Sequence, residues 1–286
     1  LAAGLGLDRF GRGSYLWTAG PETDGNTALM RVRAHDGSRP EDVSDEPFLI
    51  ANAGTDYYVN DGFTDGDVWT TALGDNAQSG KSPNRPMASL FALLAAYDLD
   101  PGDVIYVDMG TYRLVRNIVI AAQDGGVRIA GPVTGGAVID RGNQTGGAYG
   151  IELQDADDVT LDHLAITGGV YGIYAAGGAD SDRLTITNSD IYGNYFAGLY
   201  LGPSNEQALL SDNRFHHQAG TGIQVEAAAG FTITGNAVFN QDRGISVSNA
   251  PGTVLGNEVY NNSYGIGGYG VYGVSGYLLV IRDNTV

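Results

Sequence analysis

The chain has 286 residues and a formal net charge of −18 at pH 7, from 33 acidic and 15 basic residues. This charge disfavours a general role in binding nucleic acid, because phosphate recognition needs clustered Lys and Arg. The absence of Cys excludes disulfides, thiolate nucleophiles and cysteine-based metal sites, and the absence of any apolar run of about 18 residues argues against membrane insertion.

Residues 1–52 contain three short runs in which apolar and polar residues alternate: SYLWTAG, TALMRVRAHDG and PFLIAN. Such alternation predicts half-buried antiparallel strands, and three strands are too few for a sandwich. We therefore predict a partial β-sandwich that belongs to a longer protein, and the sequence also stops in the middle of a repeat. The segment Asp42–Phe48 resembles the last strands of immunoglobulin-like or fibronectin-like modules in large bacterial surface proteins.

Residues 53–100 are predicted to form the N-terminal cap of the next unit. DYYVNDGFTDGD predicts a strand and an acidic turn, and MASLFALLAAYDLD predicts a short apolar helix that a Pro-Gly pair stops. Such a helix can cover the open end of a stack of strands. The acidic turn offers Asp61, Asp65 and Asp67 as candidate ligands for Ca²⁺. It lacks the carboxylate order and closing Glu of an EF-hand, so an ordinary turn is the alternative.

From residue 101 onward the sequence repeats, and a fixed period of this length means that one unit stacks on copies of itself. Pairs of Gly and an aliphatic residue begin at Gly150, Gly172, Gly198, Gly222, Gly244 and Gly265, in steps of 22, 26, 24, 22 and 21 residues. A polar column predicts a ladder of stacked side chains at an inner corner: Ser189, Asn213, Asn236, Asn257 and Asn284. A third column predicts stacked rings: Tyr192, His216, Phe239 and Tyr260.

Three short strands and three turns per repeat predict a parallel β-helix over residues 101–286, with strands stacked about 4.8 Å apart. The cap helix, the segment PGDVIYVDMGTY and the repeats resemble the right-handed parallel β-helix superfamily that includes pectate lyases, over about residues 55–286. The predicted fold class is all-β: a right-handed parallel β-helix with an N-terminal cap helix, preceded by a partial β-sandwich.

The strand after each Gly-Ile pair is predicted to present an outward face that binds carbohydrate. Alternation along the strand brings two tyrosines, two carboxylates and an amide to this face: Glu152, Tyr174, Tyr200, Gln224 and Glu226. Rings can stack on sugars while carboxylates and amides bond sugar hydroxyls, which favours a polysaccharide or cell-surface glycan as partner. The resemblance implies the same face, since carbohydrate enzymes of this superfamily bind substrate there. The alternative is a solvated face on which Tyr follows its β-propensity.

A catalytic site is a second interpretation of this region. A lyase or epimerase needs a base, a proton donor and a cation beside the sugar carboxylate. The candidates for these roles are His217, Tyr200 or Tyr192, and Arg243 or Arg214. The structural alternative assigns His216 to the ring stack and His217 to a turn.

The motifs of related enzymes are missing from this sequence. It lacks the Gly-His-Gly of polygalacturonases and the Asp-Pro-His-Glu of mannuronan epimerases. Glu152 and Glu226 are three repeats apart, roughly 15 Å, which excludes hydrolysis by this carboxylate pair. An acidic substrate would require Ca²⁺ or arginines, because the net charge of the chain repels uronates.

These observations predict a non-catalytic, rigid, extracellular β-helix module of a large bacterial surface protein, adhesin-like or filament-forming, that binds a glycan. Neighbouring copies of the chain are a second candidate partner, and Ca²⁺ is the only candidate cofactor. The alternative function is that of a polysaccharide lyase, epimerase or hydrolase acting on the same outward face.

Overall fold

The computed structural model describes residues 54–269 and 279–286, and before them residues 4, 6, 8–10, 12–15, 28–34 and 40–46. The chain divides into two compact units, Leu1–Gly54 and Thr55–Val286. In the first unit, strands β1 (Arg31–Arg33) and β2 (Glu41–Val43) pair antiparallel. The predicted strand PFLIAN and most of SYLWTAG lie outside the described residues, so the partial β-sandwich stays a prediction.

The second unit is a parallel β-helix, as predicted, and three parallel sheets form its wall. The first sheet contains β3 (Asp56–Val59), β4 (Val104–Val107), β7 (Arg128–Ala130), β10 (Thr160–Asp162), β13 (Thr185–Thr187), β16 (Leu209–Ser211), β19 (Phe231–Thr234), β22 (Gly252–Leu255) and β25 (Val280–Arg282). The second contains β5 (Gly110–Arg113), β8 (Ala137–Asp140), β11 (Ala165–Thr167), β14 (Asp190–Tyr192), β17 (Arg214–His216), β20 (Ala237–Phe239) and β23 (Glu258–Tyr260). The third contains β6 (Ile118–Ala121), β9 (Tyr149–Gln154), β12 (Tyr171–Ala175), β15 (Ala197–Leu201), β18 (Thr221–Glu226), β21 (Arg243–Ser248) and β24 (Tyr264–Tyr269).

One turn of the chain around the axis, here called a rung, passes through the first, second and third sheets in that order. The interior of each rung is apolar because alternate side chains of every strand point inward. In the third sheet this gives a fully buried column of aliphatic side chains: Ile151, Ile173, Leu199, Ile223 and Ile245.

The repeated glycine has a steric cause. A Cβ on Gly172 would lie 2.7 Å from the carbonyl oxygen of Gly198, and a Cβ on Gly198 would lie 2.7 Å from that of Gly222. Real Cβ atoms do not approach backbone oxygens this closely, so the chain needs glycine where it enters β9, β12, β15, β18 and β21. The period seen in the sequence is therefore the period of one backbone contact that recurs along these rungs.

The corner between the first and second sheets contains a ladder of polar side chains. The Oδ1 atom of Asn236 accepts hydrogen bonds from the main-chain N–H and the Nδ2 of Asn213, both 3.0 Å long. Asn257 does the same for Asn236, at 2.9 and 3.0 Å. The ladder begins at Ser189, whose N–H donates to Asn213, and it continues to Asn284, which accepts from Asn257. Each side chain thus satisfies buried main-chain groups of its neighbours.

One short α-helix, α1 (Leu90–Ala96), covers the end of the stack beside β6. Ser89 caps its N-terminus by accepting from the N–H of Ala92, and Leu90 and Leu93 are buried. The helix ends earlier than the Pro-Gly pair predicts, because Tyr97 is extended and its hydroxyl donates to the carbonyl of Ser79. Within the described residues no helix is long and apolar enough to cross a membrane.

Candidate functional site

The third sheet carries a cluster of aromatic rings on its outer face, here called the tyrosine array. Tyr149 and Tyr174 stack with ring centroids 4.1 Å apart, and Tyr174 and Tyr200 stack at 5.3 Å. Tyr171 lies beside them and contacts all three rings at 4.9–5.7 Å. Phe196, which is 50% exposed, extends the cluster from Tyr171 at 5.4 Å. The array therefore spans three successive strands of the sheet: β9, β12 and β15.

The stacking decides which part of each ring faces a ligand. Tyr174 is stacked between Tyr149 and Tyr200, so both faces of its ring are covered. The ring of Phe196 at the edge of the array is 50% exposed.

Carboxylates stand at both sides of the array and already have partners. Tyr200 Oη donates to Glu226 Oε2 at 3.0 Å. Glu152, which pairs with Tyr174 in the sheet register, accepts from Asn117 Nδ2 at 2.7 Å and from Gln154 Nε2 at 2.9 Å. Gln224 lies opposite Tyr200 on the next strand. These partners fix the orientation of oxygen acceptors along the face before any ligand arrives.

Three phenols of the array, those of Tyr149, Tyr171 and Tyr200, have a pKa above that of free tyrosine. Burial, with Tyr174 and Glu152 as neighbours, raises the pKa of Tyr149 to about 12. Burial and the hydrogen bond to Glu226 raise the pKa of Tyr200 above its ordinary value. Both groups are therefore neutral donors at neutral pH, and neither is prepared to act as a base.

Five residues of this face were candidates from sequence: Glu152, Tyr174, Tyr200, Gln224 and Glu226. The structure pairs four of them in consecutive register on the third sheet, Glu152, Tyr174, Tyr200 and Gln224. Glu226 follows two residues after Gln224 on β18 and reaches the same face through its hydrogen bond with Tyr200. Sequence reasoning missed Tyr149, Tyr171 and Phe196. The two tyrosines could have been found from the repeat, since each stands directly before a Gly-Ile pair. In the structure they are neighbours on adjacent strands.

A second aromatic column runs along the second sheet. Successive rings are 4.8–5.4 Å apart and nearly parallel along the series Tyr192, His216, Phe239 and Tyr260. His216 Nε2 lies 2.7 Å from Asp190 Oδ1, and its Nδ1 lies 2.7 Å from Nδ1 of His217. His217 has a backbone φ of 55° at a corner where Asn240 and Asn261 adopt the same conformation.

The sequence profile of one family, described as periplasmic copper-binding protein (NosD), matches residues 110–277. This match covers more than half of the chain. The chain belongs to the NosD family. Comparison with curated proteins finds none that matches.

Solved structures similar to this NosD-family chain have parallel β-helices. Pectate lyase Pel9A aligns with a TM-score of 0.58 and 16% identity, over 77% of this chain and 56% of the enzyme. A rhamnogalacturonan lyase (TM-score 0.40, 13% identity, 81% of this chain, 68% of the other) and the GH136 lacto-N-biosidase from Eubacterium ramulus (0.41, 15%, 71%, 51%) align less closely. At such identity the likeness to Pel9A shows the fold alone, and the chain spans about half of that enzyme's length.

The first-named catalytic candidates of the NosD-family chain, Tyr200, His217 and Arg243, make different contacts. Tyr200 contacts Glu226 and other rings of the array, whereas His217 contacts His216, Phe239 and Asn240 on the second sheet and its corner. Arg243 pairs with Asp242 and lies over the ring of Tyr264. The alternatives Tyr192 and Arg214 also lie on the second sheet, in β14 and β17. No contact within the described residues joins the proposed base, donor and cation.

The candidate calcium ligands are part of the cap. Asp61 accepts from the N–H groups of Phe63 and Thr111, and Asp67 accepts from Asn60 Nδ2. Asp65 is exposed. In the part of the chain that the structure describes, no group of three His, Cys, Asp or Glu residues is placed to hold a metal ion. Asp67 Oδ1 is buried and has no hydrogen-bond partner among the described residues. The role of these three residues as Ca²⁺ ligands stays a prediction.

His216 should titrate below the ordinary range of histidine. Burial lowers its pKa, Asp190 opposes this shift, and Arg214 reinforces it. Because the unfolded chain takes up the proton first, the free energy of unfolding should fall as pH drops through about 6.5 toward the folded-state pKa. An NMR titration of the imidazole measures the shift directly.

The variant His216→Phe tests the same prediction through stability. It keeps an aromatic ring in the column, as Phe239 does on the next rung, but removes the imidazole that titrates. The loss of stability between about pH 7.5 and pH 5.5 should be smaller in the variant than in the parent protein. An equal loss in both proteins, or a pKa at or above about 6.5, would contradict the assignment.

Proposed function

We propose that this chain is a carbohydrate-binding module whose ligand lies along the third sheet, on the tyrosine array, and that it binds this ligand without cleaving it. The observation that carries the proposal is the packing of Tyr149, Tyr171, Tyr174 and Tyr200 into one array between the carboxylates of Glu152 and Glu226. We place the module in the periplasm or outside the cell, in line with the description of its family.

Chemical complementarity supports a glycan as the ligand. Sugars present hydroxyls that both donate and accept, together with small apolar C–H surfaces. The array offers neutral phenol donors, the carboxylate oxygens of Glu152 and Glu226, the amide of Gln224 and the exposed ring of Phe196. Rigid aromatic side chains lose little conformational entropy on binding, which favours affinity at such a surface.

Two observations support binding over catalysis. Proton abstraction needs a group with a pKa near the working pH, yet the pKa of both Tyr149 and Tyr200 is raised. His216 and His217 make their contacts on the second sheet and its corner. The pectate lyase likeness supports the fold and leaves the activity to experiment.

The copper described for the family finds no matching donor set in the described residues. Copper sites use His, Cys and Met ligands, but the chain has no Cys and three Met. His216 and His217 approach each other, but His216 uses one ring nitrogen for Asp190 and the other for His217. In the part of the chain that is described, no group of three or more His, Cys, Asp or Glu residues is placed to hold a metal ion, and this includes the two histidines with Asp190. These residues do not fit a copper site, and we assign none.

The variant Tyr174→Ala tests the proposal. Removing the central ring of the array should weaken binding to immobilised oligosaccharides by about tenfold or more, roughly 1.4 kcal/mol, because Tyr174 contacts three other rings. Glu226→Gln, which keeps the shape of the side chain, should weaken binding as well. Tyr260→Ala is the matched control, since Tyr260 is 43% exposed and stacked at 4.8 Å, but on the second sheet.

Three outcomes would count against this function. If the parent protein binds no member of a panel of neutral and acidic oligosaccharides, the module does not bind glycans. Equal loss of binding in Tyr174→Ala and Tyr260→Ala would move the site away from the array. Time-dependent formation of an unsaturated product from polyuronates would show a lyase, the alternative function, and its loss in His217→Ala or Tyr200→Phe would locate the catalyst.

A further inference from the structure

A cavity of about 540 Å³ adjoins the tyrosine array at the cap end of the third sheet. Phe91 and Leu94 of α1 form one wall, and Val119 of β6 forms part of another. Glu152 lines the cavity and is also the sheet neighbour of Tyr174. The cavity and the array are therefore two parts of one continuous surface, which α1 closes at the cap end.

A buried cation without an anionic partner lines this cavity. Arg141 is 9% exposed. Its Nε donates to Asn117 Oδ1 at 3.1 Å and its Nη1 donates to the carbonyl of Leu114 at 3.3 Å. No carboxylate among the described residues lies within ion-pair distance of Arg141, and its Nη2 makes no hydrogen bond to them. Buried charges are normally paired, because an unpaired one loses its hydration without compensation.

Asn117 holds the polar groups of the cavity in place. Its Oδ1 accepts from Arg141 Nε and from the N–H of Tyr149, and its Nδ2 donates to Glu152 Oε2. One amide thus fixes a guanidinium, a carboxylate and the first strand of the array. A site whose polar groups are already oriented loses less free energy when a ligand binds.

The other charged groups at the cavity are consistent with an anionic ligand that also carries hydroxyls. Arg116 lies at the mouth, with its guanidinium 4.2 Å from the ring of Phe91 and no ion pair among the described residues. Both oxygens of Glu152 have amide donors. Asp124 is 1% exposed and its Oδ1 has no hydrogen-bond partner within the described chain. Burial raises the pKa of Asp124.

We propose that this cavity is an anion subsite that binds the carboxylate or sulfate group of an acidic sugar, with Arg141 as the buried ion partner and Arg116 as a second cation at the mouth. This proposal rests on the proposed function, because the remaining sugars of the ligand lie on the tyrosine array. Guanidinium groups bind both oxyanions through paired N–H donors. The volume of the cavity is that of a small-ligand site.

The test uses calorimetry with three matched probes: oligogalacturonate, its carboxyl-reduced neutral form and a sulfated galactan oligosaccharide. The parent protein should bind at least one acidic probe about tenfold or more tightly than the neutral form. Carboxylate specificity would appear as preference for the first probe, and sulfate specificity as preference for the third. Added salt should weaken binding of the acidic probe more than that of the neutral one.

Arg141→Met should reduce the affinity for the acidic probe to that for the neutral form, and Arg116→Met should cause part of this loss. Arg116 is exposed, so this variant keeps the test valid if Arg141→Met fails to fold. Arg113→Met is the matched control, since Arg113 is exposed on the second sheet and should leave all affinities unchanged.

The results separate this proposal from the glycan-binding function. If acidic and neutral probes bind equally, and only Tyr174→Ala weakens them, the array binds glycans and the anion subsite is wrong. If the Tyr174→Ala variant still binds oligogalacturonate but not its neutral form, and the Arg141→Met variant no longer binds oligogalacturonate, the anion subsite binds ligand without the array. If no acidic probe binds to any form, the anion subsite is overturned.

Discussion

Replacing Asn236 by Asp should lower the free energy of unfolding by about 3–5 kcal/mol at pH 7, the usual effect of an unpaired buried charge. Asn236 is 1% exposed. Its Nδ2 donates to the carbonyls of Leu210 and Thr234 and to Asn257 Oδ1, at 2.9–3.0 Å. The substitution keeps the shape of the side chain but places a carboxylate oxygen against three acceptors. Urea unfolding followed by circular dichroism measures the change.

The pH dependence of this deficit identifies its cause. Burial should raise the pKa of the new carboxyl in the folded state above about 3.9, so the deficit should shrink as pH falls from about 7 toward 5. Asn249→Asp is the matched control, because Asn249 is exposed at a corner with a φ of 50° and has no side-chain hydrogen bond among the described residues. A deficit below about 1 kcal/mol would show that the ladder contributes little.

Phe215→Ala should also cost about 3–5 kcal/mol, through lost burial and the cavity that remains. Phe215 is fully buried in β17. A Cβ on Gly198 would lie 2.8 Å from Cδ1 of this ring, so the ring fills the space that the glycine leaves. Because rungs on both sides hold the wall in place, we expect little collapse into the cavity.

Thermal and urea unfolding of Phe215→Ala test this expectation. Phe63→Ala provides the control, because Phe63 is 72% exposed in the cap and its loss should change stability by no more than about 0.5 kcal/mol. If the two substitutions lower the free energy of unfolding equally, the buried ring of Phe215 contributes no more to stability than an exposed ring does.

The β-helix could be predicted from sequence because its causes recur from rung to rung. The close approach of Gly198 to the carbonyl of Gly222 has equivalents at Gly150, Gly172, Gly222 and Gly244. The hydrogen bond from Asn213 to Asn236 likewise repeats along the ladder. Each such contact constrains the same position in the next repeat, so a structural requirement appears in the sequence as a period.

The candidate site was predictable only where it follows that period. Tyr174 and Tyr200 occupy equivalent positions after a Gly-Ile or Gly-Leu pair, and so were assigned to one face. Phe196 lies in a corner whose length varies between rungs, so no fixed spacing connects it to the array. The mutual stacking of the rings was also not predicted, because register places residues side by side without giving ring orientation.

The anion cavity lay beyond sequence reasoning for a further physical reason. It depends on where α1 packs, and helix placement follows from burial of Leu90 and Leu93 rather than from any repeat. The contact between Arg116 and Phe91 connects the cap helix with the segment just before β6. Arg141 could not be singled out from the sequence, because its lack of an anionic partner among the described residues follows only from the packing.

The stacking of rungs also limits how the outer surface of the third sheet can change in length. Because every strand of the third sheet pairs with the strands of neighbouring rungs, a deletion that preserves the pairing must remove a whole rung at once. The separation between the cap cavity and any outward side chain can then vary only in multiples of about 4.8 Å. Under the proposed function, a variant with one rung more or fewer between the two parts of the site would therefore require ligand groups about 4.8 Å farther apart or closer together.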